Sequence, residues 1–350
     1  MNSTVVVVSV VLILAIFFLL FRVQSLVSIL KGSTEKRAST SNKVNAALFP
    51  IFFIVGLVMV YFYSGYASEF FLPKPASEHG IVTDRLFWLI TGVIMVAFVI
   101  TNSVLFYFPY KYQFNPNRKA HFYPDNHKLE IIWTIIPAIV LTGLVFLGWR
   151  AWTDITSPAP KDAIVLEITG KQFNWIVRYP GRDGNLGHYD FRMIDATNEV
   201  GIDFSDKSSF DDFLPREIHI PKGKPILFKI RARDVLHSVF LPHFRQKMDA
   251  VPGMPTSFWF TPIYTTDEMK GITNNPNFKY ELACTEVCGK GHFGMKFLLV
   301  VDEPEDFEKW YGEQEAFLKK NPDYLVNVPS KLKDLALNIS NNTPNKLSSF

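Results

Sequence analysis

Four stretches of this chain carry no charged side chain over a length that can cross a lipid bilayer: residues 5–21, 46–63, 86–108 and 131–149. The hydrocarbon core offers no water to backbone polar groups, so a spanning segment must satisfy its own hydrogen bonds, and about 20 apolar residues of helix suffice. The first part of the chain is therefore expected to be a set of four transmembrane helices. Beyond Arg150 no comparable stretch occurs, and that part can fold in water. Composition agrees, with 48% hydrophobic and 15% aromatic residues, more than an ordinary water-soluble chain needs. The net charge of +3 is small and no basic run is interleaved with aromatics, so nucleic acid is not expected as a partner and membrane lipid is.

No Lys or Arg precedes the first stretch and no clear small-residue cleavage site follows it, which reads as a retained anchor and not a signal peptide. The loops then set the orientation. Residues 22–45 hold Arg22, Lys31, Lys36, Arg37 and Lys43, and residues 109–130 hold Lys111, Arg118, Lys119 and Lys128. Residues 64–85 hold Lys74 and Arg85 against Glu69, Glu78 and Asp84. The excess of basic residues places the first and third loops in the cytoplasm, with everything after Arg150 outside. A bacterial inner-membrane protein with a periplasmic domain is expected, because no organelle-targeting segment is visible.

The outer domain reads as β. Ile226, Phe228 and Ile230 alternate with Leu227, Lys229 and Arg231, a period of two with one buried face. Further strands are expected at 163–169, 237–241, 257–260, 278–282 and 295–301, with Pro and Gly turns between them, the pattern of a sandwich or barrel. Residues 181–213 form an Asp- and Gly-rich insertion, including Asp183, Asp190, Asp195, Glu199, Asp203, Asp206, Asp211 and Asp212. It reads either as a solvated loop or as an acidic surface that would speed encounter with a basic partner. After residue 302, Phe307, Trp310, Tyr311 and Phe317 fit one helical face, and the tail from Asn321 is expected to be loosely ordered. The domains are drawn at 1–64, 65–150, 151–302 and 303–350.

The run C-T-E-V-C-G-K-G-H-F-G-M from Cys284 to Met295 carries the chemistry. It brings two thiols, an imidazole and a thioether together, and Cys284 and Cys288 are the only cysteines. Soft sulfur ligands with imidazole select copper. A mononuclear copper loop needs one Cys, whereas two on one loop can bridge two metals. A disulfide loop is the plainer alternative, but it leaves His292 and Met295 without a role. Upstream, D-V-L-H-S around His237 and K-M-D-A-V-P-G around Asp249 add a His on a neighbouring strand.

Together these segments resemble cytochrome c oxidase subunit II and its binuclear copper (CuA) domain. The resemblance implies a cupredoxin-like Greek-key sandwich. It makes Cys284 and Cys288 bridging thiolates, gives His237 and His292 one copper each, and makes Met295 and the Glu286 carbonyl weak ligands. The Glu286 side chain would serve a magnesium shared with subunit I. Glu130, in E-I-I-W-T-I-I-P, resembles the family's acid at the mouth of a proton path; the alternative is a solvated charge at a helix end. In G-K-Q-F-N-W, Phe173 stands where most members carry the Trp that receives electrons from cytochrome c, and Trp175 matches the second Trp. Met254 stands where many members carry Arg.

The implied function is to accept electrons from a cytochrome c and pass them to the haem of subunit I, where O2 is reduced to water with proton translocation. The implied partners are subunit I, other oxidase subunits and cytochrome c. No C-x-x-C-H occurs, so no c-type haem is attached to this chain and the donor is separate. Two spans before the copper domain are usual, which makes the first two helices an addition. A quinol oxidase-type subunit II would lack the copper ligands. A membrane copper chaperone would typically have one anchor and no use for His292 or Met295.

Overall fold

A computed structural model describes residues 3–30 and 40–341. Its helical part comprises α1 (Ser3–Leu30), α2 (Thr40–Phe71), α3 (Glu78–Lys111) and α4 (His127–Thr156). Among the described residues, three segments are long and apolar enough to cross a membrane: Thr40–Ser68, Glu78–Lys111 and His127–Thr156. In α1 the described apolar stretch is Val11–Val27, so the first expected span is the least clear of the four. Lys31, Lys36 and Arg37 of the first basic loop lie outside the described residues.

Helix starts follow local chemistry. The Ser77 hydroxyl accepts from Gly80 N (2.9 Å) at the head of α3, and Asn126 Oδ1 accepts from Leu129 N (3.1 Å) at the head of α4. The chain divides into two compact units. One holds residues up to Leu72 with Leu89–Val140; there Phe49, Phe52 and Phe53 of α2 gather around Phe106 of α3, with Phe53 stacked at 5.1 Å. Apolar side chains along these helices are otherwise largely exposed, as expected of surfaces meant for lipid or partner chains.

The other unit joins Pro73–Trp88 to the chain from Leu141 onward. Its strands are β1 (Ile164–Lys171), β2 (Asn174–Arg178), β3 (Ile218–Pro221), β4 (Ile226–Ala232), β5 (His237–Leu241), β6 (Gln246–Ala250) and β7 (Thr256–Phe260), followed by helix α5 (Thr266–Ile272), then β8 (Tyr280–Cys284) and β9 (Lys296–Asp302). They form sheets of order β2-β1-β4-β7 and β3-β9-β8-β5-β6. Leu166, Ile168, Phe228 and Phe258 of the first share one buried core with Ile220, Val239, Leu282 and Val301 of the second, so the sheets face each other. The alternation expected in β4 holds, with Ile226, Phe228 and Ile230 buried. β5 falls where expected and the later strands shift by one or two residues. β2 and β6 were not expected: N-W-I-V-R and Q-K-M-D-A lack a clean alternation, and pairing with β1 and β5 organises them.

Residues 181–213 and the segment after 312 depart most from expectation. α6 (Pro304–Gly312) lays Phe307 and Tyr311 into the main core, and its Trp310 stacks on His219 at 4.2 Å. Helices α7 (Phe317–Lys320) and α8 (Lys333–Asn341) follow, so the chain from Asn321 to residue 341 is folded and not loose; residues 342–350 lie outside the described part. Phe317, Leu318, Val328 and Ala336 enclose a second core with Val200, Ile202, Phe204 and Phe210 of the insertion. The insertion is therefore a structured lobe. Its acids mostly serve it internally: Asp183, Asp190, Asp195, Asp203 and Asp206 each accept the backbone N–H two residues on. Asp211 and Asp212 are buried, the latter 3.0 Å from Arg178.

Candidate metal centre

His237 opens β5 and Cys284 closes β8, neighbouring strands of one sheet in the register Val239↔Cys284. Two backbone bonds hold the Cys284 end: its N–H donates to Met295 O (3.0 Å), and Thr285 N donates to Ser238 O (3.2 Å). The chain then loops through Cys288 and a 3₁₀ turn, His292–Gly294, to Met295. Across the sheet Ser238 Oγ donates to Asp249 Oδ1 (2.7 Å), which gives the D-A-V-P-G acid a structural role.

The potential ligand atoms form a continuous set. His237 Nδ1 lies 3.9 Å from Cys284 Sγ, which lies 4.0 Å from Cys288 Sγ. Cys288 Sγ lies 3.7 Å from His292 Nδ1 and 3.8 Å from Met295 Sδ, and Cys284 Sγ lies 3.3 Å from the Glu286 carbonyl oxygen. His237, Cys284 and Cys288 offer ligand atoms all within 4.8 Å of one another. Metal–thiolate bonds of about 2.3 Å and metal–imidazole bonds of about 2.0 Å would fit ions between atoms at these separations. Both thiols are free and buried, as is Met295. Burial, then the neighbouring Cys284, pushes the Cys288 thiol up to about 11, so a cation is needed to draw off its proton at neutral pH. Buried soft donors of this kind suit copper.

Asp234 and Gln172 support this set and were not singled out as site residues. Asp234 Oδ1 is 2.8 Å from His237 Nε2, and its Oδ2 accepts from Gln172 N (2.7 Å). With Nε2–H turned to a carboxylate, the Nδ1 lone pair is directed at the cysteines, the arrangement that orients metal-binding imidazoles. Burial opposes the Asp234 charge, but the Gln172 N–H and the His237 ring outweigh it and hold the carboxyl below its usual range. Gln172 Nε2 also donates to Cys288 O (2.6 Å). The sequence signal was their adjacency to the motifs, in Q-F-N-W and D-V-L-H-S. Gly170 makes room: a Cβ there would lie 2.8 Å from His237 Cδ2.

The remaining candidates lie in different settings. Phe173, 40% exposed, rests on the metal loop so closely that a Cβ at Gly291 would meet its ring at 2.6 Å. Trp175 is buried, its ring centroid 5.9 Å from that of His237. Glu286 is half-buried on the loop. Glu130 belongs to the other compact unit, in the first turn of α4, about half exposed and 3.7 Å from His127.

Known families match both parts of the chain. The family described as cytochrome c oxidase subunit II, transmembrane domain, matches residues 73–149, and its periplasmic domain matches residues 164–302. Among relatives, the alternative cytochrome c oxidase subunit 2 of Bradyrhizobium diazoefficiens is 32% identical over 77% of this chain and 92% of its own length. Cytochrome c oxidase subunit 2 of Thermostichus vulcanus is 27% identical over 70% of this chain and 79% of its own. The crystal structure of the periplasmic domain of subunit II of cytochrome oxidase of Bradyrhizobium japonicum is 24% identical, covering 43% of this chain and 93% of that one with a TM-score of 0.30. The chain belongs to the cytochrome c oxidase subunit II family, as a multi-pass inner-membrane subunit of a respiratory oxidoreductase complex with its β domain in the periplasm.

Proposed function

We propose that this chain accepts electrons from a cytochrome c at a binuclear CuA centre and delivers them to the haem of subunit I, where O2 is reduced with proton translocation. The observation that carries this reading is the continuous donor set from His237 through Cys284 and Cys288 to His292 and Met295. Cys284 and Cys288 would bridge, His237 and His292 would hold one copper each, and Met295 and the Glu286 carbonyl would be the weak ligands. When bound, the copper pair supplies one-electron transfer, with the unpaired electron shared between both ions.

The protein's own contribution is to keep the donors dry and still. Cys284, Cys288 and Met295 are buried, Asp234 orients His237, and two strand ends and the Gln172 bond pin the loop. Donors held in nearly fixed positions lower the reorganisation that accompanies each electron. Electrons would enter at the exposed Phe173 ring or through Trp175, which is buried beside His237. The Glu286 side chain would serve a magnesium shared with subunit I, and Glu130 would collect protons from the cytoplasm. The segments 1–64, 65–150, 151–302 and 303–350 become an added helical hairpin that includes α1 as a fourth span, the family's helix pair, a cupredoxin-like Greek-key copper domain and a C-terminal extension. The retained donors favour this reading over a quinol oxidase-type subunit. Electron paramagnetic resonance of the purified, oxidised complex tests it: hyperfine structure from two equivalent coppers is expected, and a mononuclear signal would overturn it.

A further inference from the structure

The chain just before α3 is stitched to the sandwich. Ala76 N donates to His243 O (2.7 Å), Ile263 N to Ala76 O (2.9 Å), and Ser77 Oγ to Phe244 O (2.8 Å). Gly80, in the first turn of α3, packs so closely that a Cβ there would lie 3.4 Å from Arg245 Cγ and from Phe244 O. Arg245 is the centre of this junction, and its backbone is unusual. It follows the 3₁₀ turn Pro242–Phe244 with φ +55, a left-handed conformation that glycine adopts freely and a long side chain does not. Among the described non-glycine residues only Asn274 shares a positive φ, and Asn tolerates it by local hydrogen bonding.

The Arg245 side chain accounts for the choice of residue. Nε donates to Asp84 Oδ1 (2.7 Å) and Nη2 to Asp84 Oδ2 (3.0 Å), a two-pronged grip on a carboxylate in the second turn of α3. Its Nη groups also reach the carbonyls of Pro242 and Pro73. The two side chains are only 10% and 18% exposed, so the pair is shielded from solvent. A strained backbone kept for such a contact points to a role that a glycine turn would not fulfil.

Arg245 stands between β5, which begins with the ligand His237, and β6; β5 pairs in turn with β8, which ends in Cys284. We infer that Arg245 is a positioning residue: its grip on Asp84 fixes the metal-bearing sheet to the outer turns of α3 and so sets the electron path from the metal centre to the acceptor in the partner subunit. The inference rests on the CuA reading above. Electron tunnelling falls steeply with distance and orientation, so a sheet free to rock on its stem would spend much of its time too far from the acceptor.

The test is made in the assembled oxidase with Arg245→Gly, which suits the left-handed backbone and removes the grip together with the bonds to the Pro73 and Pro242 carbonyls, and with Asp84→Asn, which weakens the grip alone. Electron transfer from the copper centre to the haem, followed after photoreduction by a bound ruthenium dye, is expected to slow roughly tenfold in both. The paramagnetic spectrum and midpoint potential of the copper should stay unchanged. An unaltered internal rate in the assembled variants overturns the inference, as does an altered copper spectrum or failure of both variants to assemble, which would make the pair a folding element. A wild-type complex without a binuclear copper signal would instead sink the CuA reading on which the inference rests.

Discussion

The metal loop and the lobe built on residues 181–213 lie in one compact unit, yet they are held in opposite ways. The loop is organised by chemistry: thiols, imidazoles and a thioether converge, and hydrogen bonds from Gln172 and Asp234 aim them. The lobe is organised by packing, with Phe204 6.1 Å from Phe317 and 5.5 Å from Tyr324, residues more than a hundred positions away. A function-bearing site can be concentrated in one short run, whereas a hydrophobic core is shared among segments that carry no sign of one another. If the two regions are independent, damage to one should leave the other intact.

The largest effect is expected at the loop. Cys288→Ser removes the sulfur that lies within 4.0 Å of Cys284 Sγ, His292 Nδ1 and Met295 Sδ, and should abolish the binuclear copper signal entirely. Copper stoichiometry and paramagnetic resonance measure this, while hydrogen exchange in the lobe should be unchanged. A retained binuclear spectrum would break the ligand assignment.

Phe204→Ala is the counterpart in the lobe. Loss of a fully buried aromatic ring costs about 3 to 5 kcal/mol, enough to open the lobe locally. Amide exchange at Ile202 and Phe210 should accelerate while the copper spectrum holds. A disturbed spectrum would mean that the lobe supports the site after all.

What the sequence revealed follows the same division. Cys284, Cys288, His292 and Met295 announce themselves because few structures need that set of side chains in twelve positions. The three later membrane helices are equally plain, since lipid leaves a backbone few alternatives. Asp234 was harder to see, because its task is a hydrogen bond to a ring that only the fold places beside it. The lobe was hidden by its own composition. Its many Asp residues resemble a solvated loop, yet most are engaged in tight turns, and the apolar partners sit in the tail. Charge in a sequence does not distinguish a carboxylate facing water from one bonded to its own backbone.

Asp211 gives a pH-dependent test of the lobe alone. Burial raises its carboxyl from 3.8 to about 6, with Asp183 adding to the shift and the Arg182 and Asp183 N–H groups opposing it. A raised folded-state value means that the protonated form suits the fold. Its contribution is fully present below about pH 4 and is lost as pH rises through about 6, a change of up to about 3 kcal/mol. Lobe stability, taken from amide exchange corrected for the intrinsic rate, should therefore fall between pH 4 and pH 7. Asp211→Asn should flatten that dependence, and an unchanged slope would remove Asp211 as its source.

The smallest effect is expected where the two regions touch. Glu199 of the lobe pairs with Lys171 and, at 3.2 Å, with Arg233, the residues that directly precede Gln172 and Asp234. The lobe thus reaches the supports of His237 through one carboxylate. The three side chains are about a quarter to a third exposed, and ion pairs so placed contribute at most about 1 kcal/mol. Gln172 and Asp234 hold each other directly by a 2.7 Å hydrogen bond that does not need Glu199. Glu199→Gln should therefore cost the lobe less than about 1 kcal/mol and leave the copper spectrum and potential unmoved. A shifted potential in this variant, at unchanged copper content, would show that the lobe tunes the centre through His237, and the two regions would have to be read as one device.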